Sequence, residues 1–369
     1  MSNQLITIKE IARAALPRLI ENLVFPNLVH KDFSNDFVSG KGDRIQVRKP
    51  VVLTAEEFDE AKGTSVQDIN ESSVEVALDK LATVDTEFSA IQAATSIDDI
   101  NRIFIEPAAA ALAQKINSDG LELYKDIPYV TGQAGKTPGS LEDIANVRKA
   151  LNQKNVPITP RMAVWDTEAD TAFTTVDAIV HADKSGATKA LRDGSIGKIF
   201  GLENYMSQAV KKHKSEISGT ALKVKGAVEE GASVLSVTGT NLTGKFVKGD
   251  VLEIDGKNYT VTKDSVDAAS NTVSDILVYP ALGEIKDGTA VALVGNHTAN
   301  LAFNPMAFAF VTRPLSAPSG VESYVTSYNG ITLRVVKGYD MKHKKEMLSM
   351  DVLYGYKTMY PELATRVLG

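Results

Sequence analysis

Cysteine is absent from the 369-residue chain, which removes a disulfide framework, a thiolate metal site and a cysteine nucleophile together. Aromatic residues are sparse at 7%, with a single tryptophan. No run of about 18 apolar residues occurs, so no membrane-spanning helix is expected. The first ten residues carry no apolar stretch of signal-peptide type. Positive charge does not dominate either: the formal net charge of −6 argues against a surface built mainly to neutralise nucleic-acid phosphates. Nucleic acid near such a chain is expected to be contained, not gripped. The five histidines, His30, His181, His213, His297 and His343, include no pair three to five residues apart of metal-binding type.

What is present is an ordinary soluble composition, 43% hydrophobic and 23% charged, long enough for two or three domains. The most informative stretch is residues 43–89. On its return half Val74, Val76, Leu78, Ala82, Val84 and Phe88 share one face, and Glu75, Asp79, Thr83, Asp85, Glu87 and Ser89 share the other. As one strand this would reach roughly 50 Å, far beyond the usual five or six residues. Arg44-Ile45-Gln46-Val47-Arg48 alternates as the outgoing strand, and residues 54–72 between them are acidic, polar and broken by Gly63. An isolated hairpin is marginal in water. An arm with nothing inside its own chain to lean on is therefore expected to lie on a neighbouring copy, through Arg44, Arg48, Lys49, Glu56, Glu57, Phe58, Asp59, Glu60 and Lys62.

Around this arm the pattern predicts a mixed α+β body. Residues 7–25 read as an amphipathic helix interrupted at Pro17, with Ile8, Ile11, Ala12, Ala15, Leu19 and Leu23 at helical spacing. Ser96-Ile97-Asp98-Asp99 opens a helix, and Pro107 suits the first turn of an alanine-rich one over 107–125, whose residues 108–113 are expected to pack closely on a sheet. Ser140-Leu141-Glu142-Asp143 is a further capping signal. A strand over 162–165 and a helix over 168–180 follow. Residues 216–299 change character, holding ten of the 26 glycines and a single proline, Pro280. Short β-branched runs and the Asp255-Gly256 turn make this a separate β module, and the earlier body resumes with strands near 308–312, 331–336 and 347–356.

Candidate chemistry is weak. Gly132-Gln133-Ala134-Gly135-Lys136-Thr137 ends like a phosphate-binding loop, but the required earlier glycine is Val130, and Pro138-Gly139 stands where a helix should begin. A flexible glycine turn is the better reading. The glycines of Gly194-Ser195-Ile196-Gly197-Lys198-Ile199-Phe200-Gly201 lack dinucleotide-loop spacing, and close backbone packing is the expectation for Gly194, Gly197 and Gly201. Lys211-Lys212-His213-Lys214 and Lys342-His343-Lys344-Lys345 read as solvated turns. No catalytic, cofactor or metal residues are assigned, and the chain is not expected to be an enzyme.

The order of parts resembles the major capsid (coat) proteins of tailed bacteriophages, particularly the subgroup with an inserted β-barrel found in short-tailed Salmonella phages. Gly40-Lys41-Gly42-Asp43-Arg44-Ile45-Gln46-Val47-Arg48-Lys49-Pro50 resembles the entry to that family's extended loop. Pro107-Ala108-Ala109-Ala110-Ala111-Leu112-Ala113-Gln114-Lys115-Ile116 is similar to its spine helix, and residues 191–202 to the stretch before the insertion. Phe303-Asn304-Pro305-Met306-Ala307-Phe308, Gly330-Ile331-Thr332-Leu333-Arg334-Val335 and the ending from Leu353-Tyr354-Gly355 resemble the closing strands.

The resemblance implies a tailed-phage capsid fold: an N-terminal arm (1–40), an extended β-hairpin loop (41–92), a spine helix and peripheral domain (93–160) and the first part of an axial domain (161–215). An inserted all-β barrel (216–299) and the completion of both domains (300–369) follow. It implies pentamers and hexamers of this chain forming an icosahedral shell around packaged double-stranded DNA, contacted weakly and without specificity. The arm begins almost at Met1 with no charged helical leader, so a separate scaffolding protein is expected, together with a portal protein and no membrane partner. The expected locations are the virion and, during assembly, the host cytoplasm. Some relatives cross-link their loops through lysine and asparagine; Lys62 lies in the matching tip without a partner constellation and is read as solvated. The same architecture also builds encapsulin compartments for enzyme cargo, the alternative reading.

Overall fold

In the computed structural model the described residues are 8–31, 44–48, 73–89, 104–180, 193–341 and 345–369. Apolar spacing in the first of these gives the helix Ile8–Asn22, which contains Pro17 and buries Ile8, Ile11, Ala12, Ala15, Leu16 and Leu19. It packs on the long helix Glu106–Leu121 and on two strands, Glu322–Tyr328 and Ile331–Asp340. The long helix ends in a 3₁₀ turn, Glu122–Asp126, so the helical stretch expected over 107–125 is two elements. Ala108, Ala109 and Ala113 are buried in it, whereas Ala110 and Ala111 face solvent. Only part of the alanine stretch lies against the body.

The helices lie against an antiparallel sheet built around Lys345–Thr358, which pairs with Phe308–Arg313, Ile331–Asp340 and Lys80–Ser89. That last pairing corrects the reading of the arm. The return segment is two strands, Ser73–Ala77 and Lys80–Ser89, separated at Leu78 and Asp79. Lys80–Ser89 pairs over its whole length with this chain's own strand, from Lys80 opposite Tyr354 to Ser89 opposite Lys345. One edge of this strand is thus paired within the chain, so that half leans on its own body as well as on any neighbour. Ser73–Ala77 pairs with Arg44–Arg48. The base of this hairpin is also held by the body: Val76 and Leu78 are buried against Ala309, Val311 and Met359. Gly355 is required where the hairpin crosses the sheet, because a Cβ there would strike the carbonyl oxygen of Ala77.

A second sheet runs in the order Val130–Gly132, Ala364–Leu368, His297–Phe303, Met162–Trp165, Leu202–Met206 and Lys198–Ile199. His297–Phe303 is buried at every position, as an interior strand covered on both faces must be. Leu141–Gln153 begins with a capping box, in which the Ser140 hydroxyl accepts the Asp143 N–H and the Asp143 carboxylate accepts the Ser140 N–H. It buries Ile144, Val147 and Leu151 in a core shared with Trp165 and Phe173. The helix expected over 168–180 is broken into Thr167–Thr174 and Asp177–Val180. Phe25, Phe303 and Phe308 join the two sheets, with ring centroids 5.1 to 5.5 Å apart. Such contacts contribute about 0.5–1.5 kcal/mol per pair beyond burial.

Strands from Ser218–Val224 to Val291–Leu293 form a third, six-stranded sheet with its own core, including Val237, Phe246, Leu252, Val261, Val273 and Ile276. The Asp255-Gly256 turn joins Val251–Ile254 to Lys257–Val261, both turn residues having positive φ as such a tight hairpin requires. A bridge between Lys223 and Ala290 brings the first strand back towards the last, so the sheet is nearly closed into a barrel. The chain leaves the body at Lys212–His213 and re-enters at His297–Phe303, and His213 and His297 are paired across these two strands. Entry and exit are adjacent, so the body continues across the insertion.

Candidate functional site

Among the described residues no group of three or more His, Asp or Glu side chains is placed to hold a metal ion, and no helix is long and apolar enough to cross a membrane. The phosphate-loop lookalike is a turn: Lys136 N–H donates to Gln133, and Gly135 N–H donates to the Gly369 carbonyl.

The predicted assembly residues divide in two. Arg44 lies on the two-stranded hairpin and its guanidinium reaches Glu75 at 2.7 Å, in an exposed pair. Such pairs contribute only about 0.2–1 kcal/mol, so this one orders the hairpin surface more than it stabilises the fold. Arg48 pairs through its backbone with Ser73. Lys49, Glu56, Glu57, Phe58, Asp59, Glu60 and Lys62 lie outside the described residues, as do Ser96, Ile97, Asp98 and Asp99.

The glycine turn does what its residues allow for a reason other than the expected one. Gly194, Gly197 and Gly201 all have positive φ, and a Cβ at each would meet nothing within 4 Å. Conformation, not close packing, calls for glycine there. The turn is latched from below, since Asn204 Nδ2 donates to the Gly197 carbonyl at 2.9 Å while its Oδ1 accepts from Trp165 Nε1 at 2.9 Å.

Two polar clusters hold the functional parts in register. In the first, Asp119 on the long helix accepts from the Tyr354 hydroxyl at 2.8 Å and from Lys115 at 2.8 Å, with Lys80 at 3.5 Å. Burial opposes its ionisation, but the bonds from Lys115 and Tyr354 outweigh that, and the carboxyl is held below its usual range. Because Lys80 opens the strand that leaves the hairpin, this cluster fastens helix, sheet and hairpin base together. Asn117 performs the matching task for the N-terminal arm, accepting from the backbone of Val24 and Phe25 and donating to Asn22.

The second cluster lies where insert meets body, and sequence reading missed it. His213 bonds through Nε2 to Asp250 Oδ1 at 2.9 Å and through Nδ1 to the Tyr124 hydroxyl at 3.0 Å. The His297 ring lies 5.2 Å away, centroid to centroid. Arg366 is fully buried beside them, donating to the carbonyls of Gly249 at 2.8 Å, Tyr124 at 2.6 Å and Ile127 at 3.0 Å. Burial pushes the Tyr124 hydroxyl up to about 12 and lowers the Arg366 guanidinium to about 10. Asp250 and Gly249 belong to the insert, while Tyr124 and Ile127 belong to the end of the long helix and the residues after it. Thr260 donates to the Lys125 carbonyl at 2.9 Å, and Lys248 pairs with Asp126 at 2.8 Å. The 3₁₀ turn is thus the seat of the inserted barrel. The available signal was positional, since His213 and His297 stand where the composition changes on either side of the module.

The arrangement of long helix, hairpin and two sheets is the tailed-phage capsid fold. It superposes on a solved chain from Mycobacterium phage Che8 with a TM-score of 0.55 at 16% identity, covering 94% of this chain and 90% of that one. The capsid of cyanophage P-SCSP1u gives a TM-score of 0.49 at 11% identity, over 89% and 84% of the two chains. A virus-like particle from Pyrococcus furiosus gives 0.43 at 8% identity, over 98% of each. Residues 231–369 match the family model described as P22 coat protein, gene protein 5. Comparison with curated protein sequences found no match.

Proposed function

We propose that this chain is a major capsid protein whose pentamers and hexamers close into an icosahedral shell around packaged double-stranded DNA. The observation that carries this reading is the coat-family match over residues 231–369, in a chain whose fold is that of tailed-phage capsids. Assembly itself is the function, and the chain performs no catalysis. The hairpin joining Arg44–Arg48 and Ser73–Ala77 supports the reading: it stands on a body-held base, and its acidic, polar tip, residues 54–72, carries too few apolar residues to form a core of its own.

In this reading a separate scaffolding protein directs closure in the host cytoplasm and a portal protein occupies one vertex. DNA is held with little specificity, in keeping with the net charge of −6. Electron microscopy of particles formed by the expressed chain tests it. Polyhedral shells with five- and six-fold capsomers, filled with DNA in the infected host, are the expected result. Shells holding an enzyme cargo would replace this function with the encapsulin one.

A further inference from the structure

Five polar side chains that differ in protonation chemistry meet in the buried seam between body and insert. His297 donates from Nδ1 to the Gly295 carbonyl at 2.7 Å, since a carbonyl can only accept. Its Nε2 is therefore a bare acceptor, buried and without a hydrogen-bond partner, and Arg366 Nε is buried without one as well. The groups facing this site are His213 beside it on Lys212–His213, Arg366 from Ala364–Leu368, Asp250 from the insert and Tyr124 from the 3₁₀ turn. Arg366 and His213 oppose a positive charge on His297, and Asp250 favours one.

We propose that this cluster is an acid-sensitive latch, in which protonation of His297 releases the inserted barrel from the body while both remain folded. The imidazolium would add a cation beside the buried Arg366 and place a second N–H at Nε2 with no acceptor in reach. A ring rotation that sought an acceptor for Nε2 would give up the bond from Nδ1 to the Gly295 carbonyl. Opening the seam hydrates both cations. Burial already holds the His297 imidazole well below its ordinary range, at about 4.

The seam is the place to yield, because the barrel has a core of its own and its entry and exit strands are paired with each other. The Tyr279 hydroxyl, which donates to Glu362 at 2.6 Å, lies outside the cluster and can remain as a tether. Opening would also free the end of the long helix, so acid would uncouple the insert from the element that spans the body.

Hydrogen exchange of the full-length chain, corrected for intrinsic rates, tests this by comparing about pH 7.5 with about pH 4.5. Peptides over 122–127 and 247–250, which line the seam, should lose protection roughly tenfold in acid, while the barrel strands and the paired body strands at 211–214, 297–303 and 364–368 keep theirs. His297→Gln, which cannot take up the proton, should retain seam protection at the lower pH. The proposal is overturned if the wild-type seam stays closed, if the barrel strands lose protection with it, or if the glutamine variant opens equally. Carbon-13 NMR of the wild-type histidine rings gives a reading that needs no variant. His297 must titrate over the interval in which the seam opens, and opening with His297 still neutral would also overturn the proposal.

Discussion

The Tyr354 hydroxyl donates to Asp119 across 2.8 Å, joining the central strand of one sheet to the long helix at the root of the extended hairpin. Lys115 and Lys80 complete the site, and Lys80 is the residue at which the hairpin rejoins the body. Removing the Tyr354 hydroxyl deletes one bond to the buried carboxylate, and replacing the carboxylate removes the charge that Lys115 and Lys80 face. Tyr354→Phe and Asp119→Asn should each cost about 1–3 kcal/mol in denaturant unfolding of the free subunit.

The same site gives a pH dependence of known sign. The Asp119 carboxyl is held below its ordinary range, so its contribution is present above the unfolded value of about 3.9 and is lost as pH falls through the lower folded value. Asp119→Asn should therefore be less stable than wild type at neutral pH, with the gap narrowing in strong acid. A gap that stays constant would mean the carboxylate charge contributes nothing.

His297 acts in a different window. Its imidazole is lowered from 6.5 to about 4 by burial, so the unfolded chain takes up a proton first as the solution is acidified. Stability is full above about pH 6.5, falls between there and about pH 4, and is flat with respect to this group below. His297→Gln should remove that part of the slope in a series of denaturant melts, leaving the Asp119 part intact.

Packing of the long helix predicts a contrast between neighbours. Ala109 is buried and Ala111 faces solvent, so Ala109→Leu should overpack by about 1–3 kcal/mol while Ala111→Leu stays within about 0.5 kcal/mol. Gly120→Ala belongs with the first, because its Cβ would strike the Phe25 ring and come 2.8 Å from the Tyr356 ring. Melting temperatures of the free subunit distinguish them.

These contrasts mark what sequence could and could not reveal. Local signals were legible: Ser140 and Asp143 form the expected capping box, and Asp255-Gly256 turns the expected hairpin. The alanine run was recognised as helical, but not which of its alanines face the body, because an all-alanine stretch carries no amphipathic contrast. The return strand looked continuous because alternation reports only the faces of a strand and not its partner. Its break at Leu78 and Asp79 follows from two different partners, Arg44–Arg48 and Lys345–Thr358. The junction cluster was invisible for the same reason, since His213, Asp250, His297 and Arg366 meet only through long-range topology.

The insert should fold when excised. Its core is separate, its ends meet at His213 and His297, and it exceeds the roughly 40 residues below which extra staples are usually needed. Residues 214–301 alone should give a cooperative melt and dispersed amide signals. A disordered fragment would mean that the seat on the 3₁₀ turn is required for folding.

The most direct test of the account is sedimentation of the wild-type chain beside one whose residues 54–72 are replaced by a tight turn, with circular dichroism of both. The prediction is that wild type yields shell-sized particles, and that the shortened chain keeps a wild-type spectrum but stays as free subunits or capsomers. Shells of normal size and stability from the shortened chain would contradict the claim that this hairpin tip joins one subunit to the next.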